Sequence, residues 1–91
     1  MSNIRTTVLE AAQKITAGSR HGKPEDTFAK IAALWEAYLG YPVTPHDVAM
    51  MMALLKVARA RNSELNPCLD NYIDMAGYAA CAAELADITE A

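Results

Sequence analysis

Val48-Ala-Met-Met-Met-Ala-Leu-Leu55 is eight apolar residues in succession, and Lys56-Val-Ala-Arg59 follows at once. A surface helix carries an apolar stripe on one side, whereas a helix apolar all round is packed on every side. The stretch therefore predicts a buried helix with other elements assembled around it. Lys56 and Arg59 are three apart, so they leave one face of that helix near its C-terminal end. A buried cation without a partner is costly. Asp70 and Asp74, or an anionic ligand, are the candidate partners, and the choice between them is the functional question.

The segments on either side also read as helices. Thr44-Pro-His-Asp47 places a capping hydroxyl, a first-turn proline and an acid at the third position, so the third helix starts at Pro45 and runs to about Arg61. Asn62 is the expected stop. Upstream, Pro24, Glu25 and Asp26 suit the start of a second helix that ends at Leu39 before Gly40. Its apolar positions are Phe28, Ile31, Ala32, Leu34, Trp35 and Tyr38. A first helix over about Asn3 to Ala17 presents Ile4, Val8, Ala11, Ala12 and Ile15 on one face, with Gly18 as its terminator. Downstream, Asn66 or Asp70 opens a fourth helix reaching about Asp87. Its stripe of Ile73, Ala76, Gly77, Ala80 and Ala83 permits close approach by another helix.

The expectation is an all-α, compact four-helix domain spanning residues 1–91, divided into an N-terminal helix over 1–19 and a core over 20–91. A chain of 91 residues has room for one domain and a modest core. Its apolar fraction of 53%, carried by alanine, leucine and five methionines, exceeds what one small core needs. A homo-oligomer that buries a further face is therefore expected. The net charge is −3 and no run of lysine and arginine appears, which argues against duplex nucleic acid as a partner. Cys68 and Cys81 have neither CxxC spacing nor a nearby histidine, so no zinc site is expected, and free thiols suit a reducing cytoplasm. Met-Ser-Asn-Ile-Arg-Thr-Thr lacks the pattern of a signal peptide, and no apolar run approaches a membrane span. A cytoplasmic protein with no membrane partner is the expectation.

Two constellations carry chemistry. Arg20-His21-Gly22-Lys23 precedes a helix N-terminus, where backbone N–H groups and basic side chains suit a phosphate; alternatively these are solvated loop charges, with Arg20 paired to Glu25 or Asp26. Lys56 and Arg59 face Asp70 and Asp74, which are four apart on one helical face. That set is either a salt-bridge network between two packed helices or the polar wall of a nucleotide pocket, with phosphate on the cations and sugar or base on the acids. Trp35, Tyr41 and Tyr78 supply stacking or edge contacts to a base, although Trp35 has equally the spacing of a core face. No serine lies in a nucleophile elbow, and neither cysteine has a partner suggested by spacing. No catalytic residue, metal ligand or cofactor is expected.

Arg-His-Gly-x-Pro-Glu at 20–25, Ile-Ala-x-Leu-Trp-x-x-Tyr-Leu at 31–39, Asp-Val-Ala-x-Met-Met-x-Leu-Leu-Lys-x-Ala-Arg at 47–59 and Asp-Asn-x-x-Asp-x-Ala-Gly-Tyr-Ala at 70–79 occur together. The combination resembles a family of small phage and prophage proteins of unknown function. That resemblance implies a phage origin and an intracellular role, and brings no established activity. The last helix, with Asp-x-x-x-Asp-x-x-Gly-Tyr, is more distantly similar to the all-α nucleoside triphosphate pyrophosphohydrolases of the MazG type. Those enzymes hold Mg²⁺ with paired carboxylates on two helices, because Mg²⁺ takes oxygen ligands and bridges phosphates. Lys56 and Arg59 stand where the first acidic pair would be, and Asp70 and Asp74 remain. Glu84 and Asp87 have suitable spacing near the C-terminal end, where a solvated face is the simpler reading.

The sequence thus leads to a phage-type protein that binds, and sequesters, a nucleotide or cyclic-nucleotide-like signal of the host defence without catalysis. The expected contacts are Arg20, His21, Lys56 and Arg59 to phosphate, Asp70 and Asp74 to polar groups, and Trp35, Tyr41 and Tyr78 to the base. A divergent Mg²⁺-dependent pyrophosphohydrolase is the first alternative. The second is an inhibitor that presents Met50, Met51 and Met52 to a host protein.

Overall fold

The reciprocal cap expected at Thr44 and Asp47 is present in the computed structural model. The Asp47 backbone N–H donates to Thr44 Oγ1 at 3.1 Å, and the Thr44 N–H donates to Asp47 Oδ2 at 3.0 Å. Helix α3 accordingly starts at Pro45 and runs Pro45–Asn62. These hydrogen bonds, with a smaller contribution from His46, hold the Asp47 carboxyl below its ordinary value of 3.8. Because the folded value is depressed, the stabilisation is complete above pH 3.8 and is lost as pH falls through the lower folded value. Asp47→Asn is expected to flatten the acid limb of the stability profile below that pH, which acid titration followed by circular dichroism would measure.

The structure describes residues 3–17, 23–62 and 68–86. Besides α3, these form α1 (Ile4–Ala17), α2 (Pro24–Leu39) and α4 (Leu69–Leu85). Asn3 opens α1, its Oδ1 accepting the Thr6 N–H at 3.1 Å. Gly40 closes α2 in the left-handed region at φ 69°, and its N–H donates to Glu36 O at 2.8 Å. Any side chain there would carry the left-handed penalty of about 1–2 kcal/mol. Glu36 also braces the following turn by accepting the Val43 N–H at 3.0 Å. Cys68 precedes α4 without a side-chain cap, and Asp70 lies in its first turn rather than opening it. The other expected opener, Asn66, lies outside the described residues.

α3 and α4 form an antiparallel pair, with Val48 and Ala49 near Ala82 at one end and Lys56 bonded to Asp74 toward the other. α1 packs along α4 and α2 packs chiefly on α3, so the order in space is α1, α4, α3, α2. Phe28 and Ala32 of α2 join Val48, Ala49 and Ala82 in the core. Ile31, Trp35, Val43, Met52, Tyr78, Cys81 and Leu85 pack around them. Gly77 meets α1: a Cβ placed there would stand 3.7 Å from Thr16 Cγ2. The small-residue stripe of α4 does admit another helix, but at Ile73 and Gly77, while Ala80 and Ala83 are exposed and Ala82 is buried against the core instead.

Several expected burials are corrected. α3 is not enclosed: Val48 and Ala49 are fully buried, yet Leu54 is 63% exposed and Met50, Met51, Leu55 and Val57 each exceed 40%. With α4 and α2 as its neighbours, the opposite side of α3 is covered by no other helix among the described residues. On α2, Leu34 and Tyr38 are exposed, since the helix rests on α3 through the Phe28–Ala32 side. On α1, Ile15 faces solvent while Thr16 turns toward α4, its hydroxyl bonded to Ala12 O at 3.0 Å.

Candidate functional site

The sequence set Lys56 and Arg59 against Asp70 and Asp74, and the antiparallel α3–α4 pair brings the first and last of these into contact. Lys56 Nζ lies 3.0 Å from Asp74 Oδ2, with 14% of the lysine side chain and 33% of the aspartate exposed. Lys56 can reach this position because it lies six residues before the end of α3 and Asp74 five residues after the start of α4. The shielding makes the pair stronger than a surface bridge, while the aspartate's open side keeps it in contact with water. Asp70 lies one turn toward the α4 N-terminus and is exposed, and Asn71 beside it is half-buried. Arg59 lies one turn beyond Lys56 and is exposed. This end of the helix pair therefore carries two cations on α3 and two carboxylates on α4, joined by the Lys56–Asp74 contact. Such an arrangement can hold phosphate on nitrogen donors and sugar or base donors on carboxylate.

The aromatic residues do not converge on it. Trp35 is half-buried against the core. Tyr78 meets Phe28 edge to face, with ring centroids 6.2 Å apart and planes at 61°, and also packs against the core. Tyr41 is 72% exposed in the turn between α2 and α3. Since Tyr41 precedes Pro45, it belongs to the α3 end lying about 16 Å along the axis from Lys56. There it borders an open depression of about 430 Å³ with Ala33, Glu36, Ala37, Gly40 and Pro42. Arg20 and His21 lie outside the described residues.

Among the described residues no three of His, Cys, Asp and Glu are grouped closely enough to hold a metal ion. Glu84 is exposed near the end of α4, and Asp87 lies outside the described residues. Cys81 is partly buried, and burial followed by the nearby Glu84 pushes its thiol above the ordinary value, the opposite of an activated nucleophile. Cys68 is exposed, and both cysteines are free thiols. No helix among the described residues is long and apolar enough to cross a membrane. The outer face of α3, where Met50, Met51 and Leu54 stand in solvent, departs from the buried helix expected from the apolar run. It is anticipated only in the alternative that presents Met50, Met51 and Met52 to a partner. Its apolar run signalled burial, and periodicity alone does not distinguish burial within a chain from burial between chains.

Two mycobacteriophage proteins are similar to this chain. The Gene 55 protein of Mycobacterium phage D29 is 39% identical over 77 residues, covering 81% of this chain and 50% of that one. The Gene 55 protein of Mycobacterium phage L5 is 41% identical over 76 residues, covering 79% of this chain and 47% of that one. The chain thus spans about half the length of the curated relatives it matches. No solved structure matches it. The profile of a domain of unknown function, DUF6378, matches residues 7–86, a span that takes in most of α1 and all of α2, α3 and α4. The chain belongs to the DUF6378 family, and its curated relatives are phage proteins.

Proposed function

We propose that this protein binds a nucleotide or nucleotide-derived anion and holds it without turnover, acting as a homo-oligomer in the cytoplasm of a phage's host. The observation that carries the reading is the half-shielded Lys56–Asp74 pair, with Arg59 and Asp70 one turn away on their respective helices. Asp74 orients the ammonium, whose remaining donors are available to phosphate oxygens. Arg59 adds a planar donor suited to bidentate phosphate contact. The exposed apolar side chains of α2 and α3 support self-association, because a monomer rarely leaves so many adjacent apolar residues in water. Sequestering a host defence signal is one use a phage has for such a protein.

Equilibrium dialysis against linear and cyclic nucleotides, with and without Mg²⁺, tests the reading. The expected result is retention of at least one of them, unchanged by Mg²⁺ and lost in Arg59→Ala protein that remains helical. Cleavage that needs Mg²⁺, Asp70 and Asp74 would instead identify a divergent pyrophosphohydrolase. A second reading, an inhibitor of a host protein, is favoured by one observation: of the three methionines expected to be presented, Met50 and Met51 are each nearly half exposed, as an adaptable methionine surface requires, whereas Met52 packs against the core. Failure of every nucleotide to bind would favour it.

A further inference from the structure

The side of α3 that no described helix covers has an internal symmetry in its chemistry. At 100° per residue, Asp47, Met50, Met51, Leu54, Val57, Ala58 and Arg61 fall on the side opposite Val48 and Ala49, with Leu54 near its centre. Leu54 is also the midpoint along the helix: Asp47 and Arg61 lie seven residues to either side, and Met50 and Ala58 four to either side. All seven residues are exposed, and the central side chains are apolar. The two ends carry opposite charges. A helix with those properties is complementary to its own antiparallel copy, because a two-fold axis through Leu54 sets each Asp47 against the other chain's Arg61.

We infer that the occupant of this face is a second copy of the chain, docked α3 against α3 in antiparallel register about Leu54. The inference rests on the proposal that the protein self-associates, and is independent of the anion. In this register Met50 of one protomer lies over Ala58 of its partner, so a large side chain meets a small one, and Met51 meets Val57 along the flank. Two Asp47–Arg61 pairs close the ends and disfavour parallel docking, which would place like charges together. Asp47 Oδ2 is engaged by Thr44 N–H in the cap, and its Oδ1 remains suited to a guanidinium donor. The charge pairing and the apolar centre together select one partner, one direction and one register.

Sedimentation equilibrium and cysteine cross-linking test this together. In a Cys68→Ser/Cys81→Ala background, Leu54→Cys should form an inter-chain disulfide under mild oxidation, since helices packed at about 8–10 Å bring residues on the axis within disulfide reach. Ala58→Cys should not, because the two copies of residue 58 would stand about 12 Å apart along the helices. Arg61→Glu should weaken the dimer by about tenfold, and Asp47→Lys/Arg61→Glu should recover it by exchanging the charges. Helicity by circular dichroism separates loss of the cap from loss of the interface. A wild-type chain that stays monomeric at millimolar concentration overturns the inference and the self-association beneath it. A dimer that links through Ala58→Cys, or that ignores both charge variants, overturns this register while leaving self-association standing.

Discussion

Phe28→Ala should lower the unfolding free energy by about 3–4 kcal/mol, within the range for removing a large aromatic from a core. Phe28 is 8% exposed and meets Tyr78 of α4 edge to face at 6.2 Å, while its cluster includes Val48 and Ala49 of α3. It therefore ties three helices together. The effect is large because the core is lean. Alanines account for Ala12, Ala32, Ala49 and Ala82 among the buried hydrophobic residues, and Val48 is the largest fully buried side chain among those described. Neighbouring alanines have no rotamers with which to refill a cavity of this size. A domain of this length has only about 5–14 kcal/mol of stability in total, so the variant should unfold at markedly lower urea. Chemical denaturation followed by circular dichroism would measure the shift, and a loss under about 1 kcal/mol would show that α2 does not depend on this anchor.

Replacing Lys56 separates the fold from the proposed site. Lys56→Met keeps most of the side chain's bulk and leaves Asp74 one-third exposed, so water can hydrate the remaining charge. The expected cost is about 1–3 kcal/mol, below the cost of breaking a fully buried pair. Lys56→Asp is far more damaging, because it sets two carboxylates together in a shielded position. Lys56→Met/Asp74→Leu should return stability to within about 1 kcal/mol of the natural chain, since apolar replacements for an ion pair are often neutral. Both Lys56→Met proteins should nevertheless have lost the anion. Urea denaturation and equilibrium dialysis on the same preparations give the two readouts. Full nucleotide retention by the stable double variant would leave the Lys56–Asp74 pair with a packing role alone.

Helix boundaries were legible wherever a backbone requirement had its own residue. Thr44 and Asp47 exchange hydrogen bonds at the start of α3, Pro24 begins α2, and Gly40 takes the left-handed conformation at its end. The Lys56–Asp74 contact was likewise visible in the spacing, because charges one helical turn apart define a face and a short connection makes consecutive helices antiparallel. Helix faces were harder to read. α3 is apolar on too many sides for periodicity to choose one, and a surface buried by a neighbouring chain carries the same residues as a core. On α2, Tyr38 fits an apolar period from Trp35, yet it is 90% exposed because α3 occupies only the Phe28 side. Trp35 and Tyr78 illustrate the same difficulty: large aromatics serve a nucleotide base and a lean helical core equally well, and here both pack on the core.

The most direct test of the proposed function is to incubate the purified protein with linear and cyclic nucleotides, with and without Mg²⁺. Free ligand would be measured by chromatography before and after the protein is heat-denatured. The account predicts a nucleotide that disappears from solution on mixing and returns intact on heating, irrespective of Mg²⁺. A nucleotide returned in cleaved form would contradict binding without turnover, and a panel left wholly free would contradict nucleotide binding itself.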